Sequence, residues 1–223
     1  MTSDPHRNQA VLASGRKLPG AAGAVMLLHG RGASAEDILQ LGREFDHPEL
    51  AYLAPQAAGN SWYPYSFLAP VQQNEPWLTS ALNKLGKIVE EILKAGLTRE
   101  KIVIAGFSQG ACLASEFVAR NPGSYAGLIA FSGGLIGPPG IKFHYAGKLD
   151  GTPAFFGGVD PDAHVPWQRV QQSASVLSAL GADVVLKRYP GMPHSINQEE
   201  IEEARTLIER AFGTVVNAAR RAD

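Results

Sequence analysis

The chain has 223 residues, of which 45% are hydrophobic and 18% charged, and its formal net charge is -1. This length allows one sizeable core, so we expect a single domain over residues 1–223, with residues 1 to about 20 as an N-terminal extension or an edge strand. The balanced charge excludes the basic footprint of a nucleic-acid-binding protein. The one short basic cluster, Arg220 with Arg221, is predicted to be a solvated helix end.

Cysteine content and terminal sequence bear on the compartment. The one cysteine, Cys112, excludes an intrachain disulfide, which fits a reducing environment. The first ten residues, MTSDPHRNQA, lack the apolar region of a secretory signal. The longest apolar runs are too short to cross a bilayer. We therefore expect a soluble, cytoplasmic protein without stable membrane anchoring.

Short apolar runs alternate with longer amphipathic stretches along the chain. Strands are predicted at residues 24–28, 51–54, 102–107, 127–131, 154–156 and 184–189. Helices are predicted at residues 35–45, about 75–94, 109–120, 166–180 and 198–212. Nearly continuous apolar strands indicate burial on both faces of a parallel sheet, so we predict a doubly wound α/β domain. In such sheets functional residues gather in loops at the carboxyl ends of the strands.

A glycine-rich loop follows the first predicted strand, in the sequence LLHGRGAS. Gly30 and Gly32 let the backbone turn its amides inwards, so the main-chain N–H of Arg31 is a candidate oxyanion donor. A phosphate-cradling loop is the alternative, but neither G-x-G-x-x-G nor a G-K-[ST] ending is present. Ser34 is then predicted to cap a helix from Ala35.

Residues 56–73, QAAGNSWYPYSFLAPVQQ, interrupt the alternation. A loop this long in a compact domain is usually functional or disordered, and its aromatic content opposes disorder. We predict a wall of a substrate pocket, with Trp62, Tyr63 and Phe67 contacting the substrate. The alternative is that these aromatic side chains only cover the core.

The central motif is G-x-S-x-G, from Gly106 to Gly110, between the strand KIVIAGF and the helical stretch QGACLASEFVAR. This is the strand–turn–helix setting of a nucleophile elbow, in which small neighbours expose the hydroxyl of Ser108 at a helix N-terminus. The N–H of Gln109 is the second candidate oxyanion donor. An ordinary glycine-flanked turn is the alternative. Cys112, one helical turn later, is predicted to face the sheet as a core residue.

A serine nucleophile needs a base within hydrogen-bond reach. His194 lies in YPGMPHS, after the last predicted strand and before the final helix, where this fold places its base. Met192 in the same loop is predicted to contact the substrate. His164 is the other histidine in a suitable loop, whereas His6 and His47 are predicted to lie at the surface.

The acid that orients the base should follow the penultimate strand, where the sequence reads VDPDAHVP. Asp160 and Asp162 compete, and the residues alone do not separate them. A carboxylate there would hold the imidazole in the required tautomer without taking its proton. No grouping of His, Cys and carboxylates has metal-ligand spacing, so no metal is predicted.

Six segments together resemble the phospholipase/carboxylesterase family of α/β-hydrolases, which includes bacterial carboxylesterases and acyl-protein thioesterases. The segments are LLHGRGAS, PQAAGNSWYPYSF, AGFSQGACLASEF, FSGGL, the stretch from Asp162 to Pro166, and YPGMPHSI. The resemblance implies an α/β-hydrolase fold without a large lid and selects Asp162 over Asp160. It also implies Arg31 and Gln109 as oxyanion donors, no cofactor, and a monomer or homodimer.

The resemblance implies a carboxylesterase that acts on a small-molecule ester with a short to medium acyl chain. An acyl-thioesterase or a lysophospholipase is the alternative within enzymes. A non-catalytic protein that binds a small ligand is the alternative from another class. The aromatic WYPYSF stretch departs from the thioesterase branch, which opposes long-chain depalmitoylation and favours a small, even aromatic, ester.

Overall fold

The structure is a computed structural model that describes residues 4–213, so the predicted helix end at Arg220 and Arg221 lies outside the described residues. The strands are β1 Val11–Gly15, β2 Gly23–Leu28, β3 Leu50–Pro55, β4 Ile102–Phe107, β5 Gly127–Phe131, β6 Pro153–Asp160 and β7 Asp183–Pro190. The α-helices are α1 Ala35–Phe45, α2 Trp77–Lys94, α3 Gln109–Arg120, α4 Trp167–Ala179 and α5 Gln198–Phe212.

The strands form one sheet in the order β1-β3-β2-β4-β5-β6-β7. Strand β1 pairs antiparallel with β3 at one edge, and all the other pairs are parallel. Parallel neighbours need crossover connections, which the helices provide. The carboxyl ends of β2 to β7 therefore share one edge of the sheet, and the loops that follow them can meet there.

Helices cover both faces of the sheet, as predicted. Apolar side chains of α2, α3 and α4 pack on one face, and those of α1 and α5 pack on the other. Strand β2 shows the alternation, because Met26 points to the first face and Leu27 to the second. Burial of each such side chain contributes roughly 1.5–3 kcal/mol.

Local sequence fixes where two helices begin. Ser34 and Asp37 form a capping box at the start of α1, as the sequence indicates. Asn197 and Glu200 form a second capping box at the start of α5. Each box satisfies backbone N–H groups that have no partner within the helix. The second box fixes the end of the loop that carries His194.

Two strand predictions needed correction. Strand β6 runs to Asp160, four residues beyond the predicted end, because Gly157 and Gly158 continue the ladder with β7. Strand β7 is not buried on both faces, since it is the edge strand, and Val185 and Leu186 each remain 38% exposed. The charged pair Lys187 and Arg188 marks this strand as different from the central ones, and the prediction of burial on both faces overlooked it.

The prediction that His6 and His47 lie at the surface is wrong, because both are buried. The ring of His6 packs against two tryptophan rings, at 5.5 Å from Trp62 and 5.4 Å from Trp77. Its Nε2 lies 2.9 Å from the carbonyl oxygen of Trp62, and its Nδ1 accepts the N–H of Ala58 at 3.0 Å. These contacts connect the N-terminal segment to residues 56–73, which we call the aromatic loop.

No helix among residues 4–213 is both long and apolar enough to span a membrane.

Candidate active site

Ser108 occupies a sharp turn between β4 and α3. Its backbone has φ 54° and ψ −118°, a conformation that L-residues rarely adopt and that costs on the order of 1–3 kcal/mol. A Cβ atom on Gly106 would lie 2.6 Å from the carbonyl carbon of Gly110, and one on Gly110 would lie 2.1 Å from the carbonyl oxygen of Leu28. The two glycines of the motif are thus required for the strand and the helix to approach each other.

Ser108, His194 and Asp162 form one chain of hydrogen bonds. The Oγ of Ser108 lies 2.9 Å from His194 Nε2, and His194 Nδ1 lies 2.7 Å from Asp162 Oδ2. A carboxylate can only accept, so Nδ1 carries the proton and Nε2 is free to accept the serine hydroxyl. These three side chains come from the loops after β4, β7 and β6.

The carboxylate of Asp162 is fully buried, yet it remains well supplied with donors. Its Oδ1 accepts the N–H groups of His164 at 2.7 Å and of Val165 at 3.0 Å. Burial by itself would raise the pKa of Asp162, but these two amides and the His194 side chain outweigh it and lower the pKa. The group therefore stays ionised while it holds His194.

Asp160, the competing acid, has a different partner. It ends β6, and its carboxylate pairs with the guanidinium of Arg188 on the neighbouring strand β7. The two-residue separation matters because Asp162 lies beyond the strand, in the turn that reaches His194. The structure brings Asp162, and not Asp160, to the histidine.

The two candidate oxyanion donors lie beside Ser108. Gln109 is the first residue of α3, so its N–H has no partner within the helix. The glycine-rich loop after β2 passes close to the nucleophile, since a Cβ atom on Gly30 would lie 3.6 Å from the Cβ of Ser108. Arg31, the next residue, lines the same cavity as Gln109.

A cavity of about 560 Å³ opens at Ser108 and His194. The aromatic loop supplies one side of it through a run of five residues: Tyr63, Pro64, Tyr65, Ser66 and Phe67. Of the predicted substrate contacts, Tyr63 and Phe67 line this cavity. The loop therefore forms one wall of this cavity, and its contact with a substrate stays a prediction.

Two other predicted substrate contacts, Trp62 and Met192, are not among the residues that line the cavity. The Trp62 side chain is fully buried, and its indole N–H donates to the carbonyl oxygen of His29 at 2.9 Å, so it belongs to the core. Met192 is 38% exposed in the loop before His194. The aromatic loop thus serves both purposes that its sequence left open, wall and core.

Two rings enclose His194: that of Phe107, which the sequence analysis missed, and that of His164, which it named only as an alternative base. The rings of Phe107 and His164 each have their centroid 4.9 Å from that of the histidine. Both also line the cavity. Their positions in sequence gave a signal, because Phe107 directly precedes the nucleophile and His164 follows Asp162 by two residues.

Cys112 is among the residues that line the cavity but is almost fully buried. Burial raises the pKa of its thiol to about 12, so it remains protonated at neutral pH. Its sulfur accepts the N–H of Gly134 at 3.5 Å. A protonated, buried thiol is a packing group and a poor nucleophile.

Comparison with known proteins adds to this geometry. Residues 8–211 match the family described as Phospholipase/Carboxylesterase. The chain belongs to the phospholipase/carboxylesterase family. Because this is a family of serine hydrolases, the predicted enzyme class is confirmed.

Several relatives agree with that membership. A crystal structure of a phospholipase/carboxylesterase from Dyadobacter fermentans has 46% sequence identity and a TM-score of 0.87, covering 90% of this chain and 97% of that one. Acyl-protein thioesterase 1 of Saccharomyces cerevisiae is 32% identical over 142 residues, which are 60% of this chain and 60% of the relative. A probable carboxylesterase of Arabidopsis thaliana, described as SOBER1-like, is 28% identical over 83% of this chain and 78% of its own length. The α/β-hydrolase fold is confirmed, and residues 4–213 contain no large lid domain.

Proposed function

We propose that this protein is a serine carboxylesterase that hydrolyses short- to medium-chain acyl esters through Ser108, His194 and Asp162. The observation that supports this most directly is the continuous hydrogen-bond chain from the Ser108 hydroxyl to the Asp162 carboxylate, at a cavity of about 560 Å³. Membership in a hydrolase family supports the reaction class. The fold alone would not, because one fold hosts many functions.

In the first step, Ser108 Oγ attacks the ester carbonyl carbon and His194 Nε2 takes the hydroxyl proton. The carbonyl oxygen becomes an oxyanion that accepts the N–H groups of Arg31 and Gln109. The tetrahedral intermediate then expels the alcohol, which leaves with the proton from His194. Asp162 stays ionised and stabilises the imidazolium without taking its proton.

In the second step, water attacks the acyl group on Ser108. His194 accepts a proton from this water and returns one to Ser108 as the carboxylic acid leaves. The two steps need only water besides the groups of this chain. The strained turn fixes the Ser108 hydroxyl, and the buried Asp162 fixes the His194 imidazole, before substrate binds. This lowers the entropic part of the activation free energy.

The lining of the cavity favours a neutral acyl group of modest size. Among the described lining residues, Arg31 is the one permanently charged side chain. The apolar part of the surface comes from rings, two alanines and Val165, with Tyr65 57% exposed at the wall. An aromatic acyl group could stack on such rings, a contact worth about 0.5–1.5 kcal/mol beyond burial.

A thioesterase is the second candidate, supported by the yeast relative described as acyl-protein thioesterase 1. The same two-step chemistry would cleave a thioester. A small-ligand receptor on the same fold is the candidate from outside enzymes. It is opposed by the complete hydrogen-bond chain, because binding alone requires no aligned nucleophile and base.

The test is a panel of p-nitrophenyl esters and acyl-thioesters from acetyl to palmitoyl, assayed with the wild type and with Ser108→Ala. Fluorophosphonate labelling read by mass spectrometry identifies the nucleophile. We expect the fastest turnover with short or medium oxygen esters, the label on Ser108, and a loss of about 10⁴–10⁶-fold in kcat for Ser108→Ala. Cys112→Ala is the matched control and should remain active and labelled.

The outcomes separate the candidates. Faster turnover of long acyl-thioesters than of any oxygen ester would replace the carboxylesterase by a thioesterase. Absence of both turnover and label in the wild type would refute the catalytic proposal and favour the small-ligand receptor. Retention of more than about a tenth of the activity in Ser108→Ala would remove Ser108 from the mechanism.

A further inference from the structure

The side chain of Arg31 makes four hydrogen bonds to one short segment of the aromatic loop. One terminal nitrogen donates to Ser61 Oγ at 3.0 Å and to the carbonyl oxygen of Pro64 at 2.8 Å. The other donates to the carbonyl oxygens of Tyr63 at 2.9 Å and Tyr65 at 2.7 Å. We call residues 61–67 the wall segment. A planar guanidinium with fixed donor directions suits such a set of acceptors, whereas an ammonium does not.

Gln109, the second candidate oxyanion donor, holds the same segment through its own side chain. Its amide oxygen accepts the N–H of Trp62 at 2.9 Å, and its amide nitrogen donates to the carbonyl oxygen of Tyr63 at 2.9 Å. The wall segment is thus bonded to the two residues whose main-chain N–H groups face the reacting carbonyl in the proposed mechanism. The wall and the oxyanion site form one hydrogen-bonded unit.

The four bonds also determine what Arg31 does not do. A guanidinium has five N–H donors, and four of them are engaged by the wall segment. The charge at the cavity is therefore committed to the protein and is not available as a bidentate partner for a carboxylate on the substrate. Tyr65, which is 57% exposed and lines the cavity, is held by this clamp through its carbonyl oxygen, while its N–H donates to Asn74 Oδ1 at 2.9 Å.

We propose that the Arg31 side chain is a positioning residue that clamps the wall segment to the oxyanion loop and so determines which acyl groups the cavity accepts. This inference rests on the proposed esterase function. The proposal places the acyl group between the oxyanion site and the wall, so that a displacement of the wall changes the fit of large acyl groups more than that of small ones. Arg31 thus acts on selectivity through Tyr63 and Tyr65.

The experiment compares Arg31→Met and Arg31→Lys with the wild type. The matched control is Arg16→Met, which also removes hydrogen bonds, those from Arg16 to the exposed Glu49. Three experiments are made on each protein: steady-state kinetics, giving kcat and KM for p-nitrophenyl acetate, butyrate, octanoate and benzoate; amide hydrogen exchange of peptides covering residues 61–67; and thermal unfolding, giving Tm.

In Arg31→Met we expect the ratio of kcat/KM between the best and the worst ester to narrow by about tenfold, which corresponds to ~1.4 kcal/mol. We also expect exchange of the wall-segment amides to accelerate by about tenfold or more, since the clamp no longer opposes local opening. Arg31→Lys should resemble Arg31→Met, because three ammonium donors cannot span four acceptors. Arg16→Met should match the wild type in both measurements.

Three results would overturn the clamp. Unchanged selectivity in Arg31→Met, whatever its Tm, would leave Arg31 with a structural role only. Narrowed selectivity with unchanged exchange would show that the wall does not transmit the effect. Full recovery of selectivity in Arg31→Lys would assign the effect to charge. If Arg31→Met does not fold, Arg31→Lys, which keeps the aliphatic stem and the charge, decides by the same criteria.

Failure of the proposed function looks different. It appears in the wild type, as absence of turnover with every ester, before any variant is made. The clamp proposal, in contrast, fails when the wild type is active and selective and the Arg31 variants give any of the three results above.

Discussion

The capping box of α5 contains a buried carboxyl whose ionisation should destabilise the protein. Glu200 is fully buried, and its Oε2 accepts the N–H of Asn197 at 3.0 Å. Its Oε1 is buried without a hydrogen-bond partner. Burial raises the pKa of Glu200 to about 7, against the bond from Asn197, which lowers it. We expect Glu200→Gln to stabilise the fold at alkaline pH, because the amide stays neutral.

The sign and size follow from linkage. The folded-state pKa lies above the ordinary glutamate value of 4.5, so the folded protein binds this proton more tightly than the unfolded chain does. The stability that the neutral carboxyl contributes is complete below that ordinary value and is lost as pH rises through about 7. Between about pH 5 and about pH 8, the loss amounts to about 2.5 kcal/mol.

The assay is urea denaturation of the wild type and Glu200→Gln at several pH values over this range. The difference in unfolding free energy should grow by about 2.5 kcal/mol in favour of the variant as pH rises. Glu199→Gln is the matched control, since Glu199 is the preceding residue and pairs with Lys187 at the surface. Its effect should stay below about 1 kcal/mol. A difference for Glu200→Gln that is the same at both ends of the range would refute the argument.

Two further predictions concern the acid and the buried histidines. Asp162→Asn should lower kcat by about 10⁴-fold, as loss of the orienting carboxylate does in other triads, while Asp160→Asn should stay within about threefold of the wild type in the same ester assay. An equal loss in both would reopen the choice of acid. Burial lowers the pKa of His6 and of His29, so the stability that their neutral forms contribute is complete above the ordinary value of 6.5 and is lost as pH falls through the lowered values. In Glu200→Gln, where Glu200 can no longer add stability on acidification, urea denaturation should show the unfolding free energy decrease as pH falls. A constant unfolding free energy would contradict this.

The elements of the fold were largely predictable because each rests on local signals. The capping residue Ser34 and the residues that end each apolar run mark boundaries within a few positions. What the sequence could not reveal is lateral order in the sheet. Strand β7 lies at the edge, where Val185 and Leu186 are exposed, and the one local signal of that place is the charged pair Lys187 and Arg188, which the strands beside β4 lack. Strand β1 has five residues, mostly exposed, so no periodic pattern marked it.

The candidate site divides in the same way. Ser108 lies between the two glycines of its motif, directly after a strand, and His194 lies in the loop after the last strand. The motif and the order of the elements along the chain therefore sufficed to propose both residues. The choice between Asp160 and Asp162 depends on where β6 ends. Apolar periodicity placed that end four residues too early, so only the family resemblance selected Asp162. The side-chain contacts of Arg31 join residues about thirty positions apart, and no short-range pattern encodes such contacts.

The buried carboxyl and the base are linked through the loop between β7 and α5. A histidine acts as a general base only when it is neutral, which higher pH favours. The same rise in pH ionises Glu200, which fixes the C-terminal end of the loop that carries His194. The higher pH that makes His194 neutral therefore also weakens the capping box that fixes its loop. If this reasoning holds, Glu200→Gln should leave kcat near neutral pH within about threefold, while it extends the half-life of activity at alkaline pH. A shorter half-life than that of the wild type would mean that the ionised carboxylate supports the loop better than the amide.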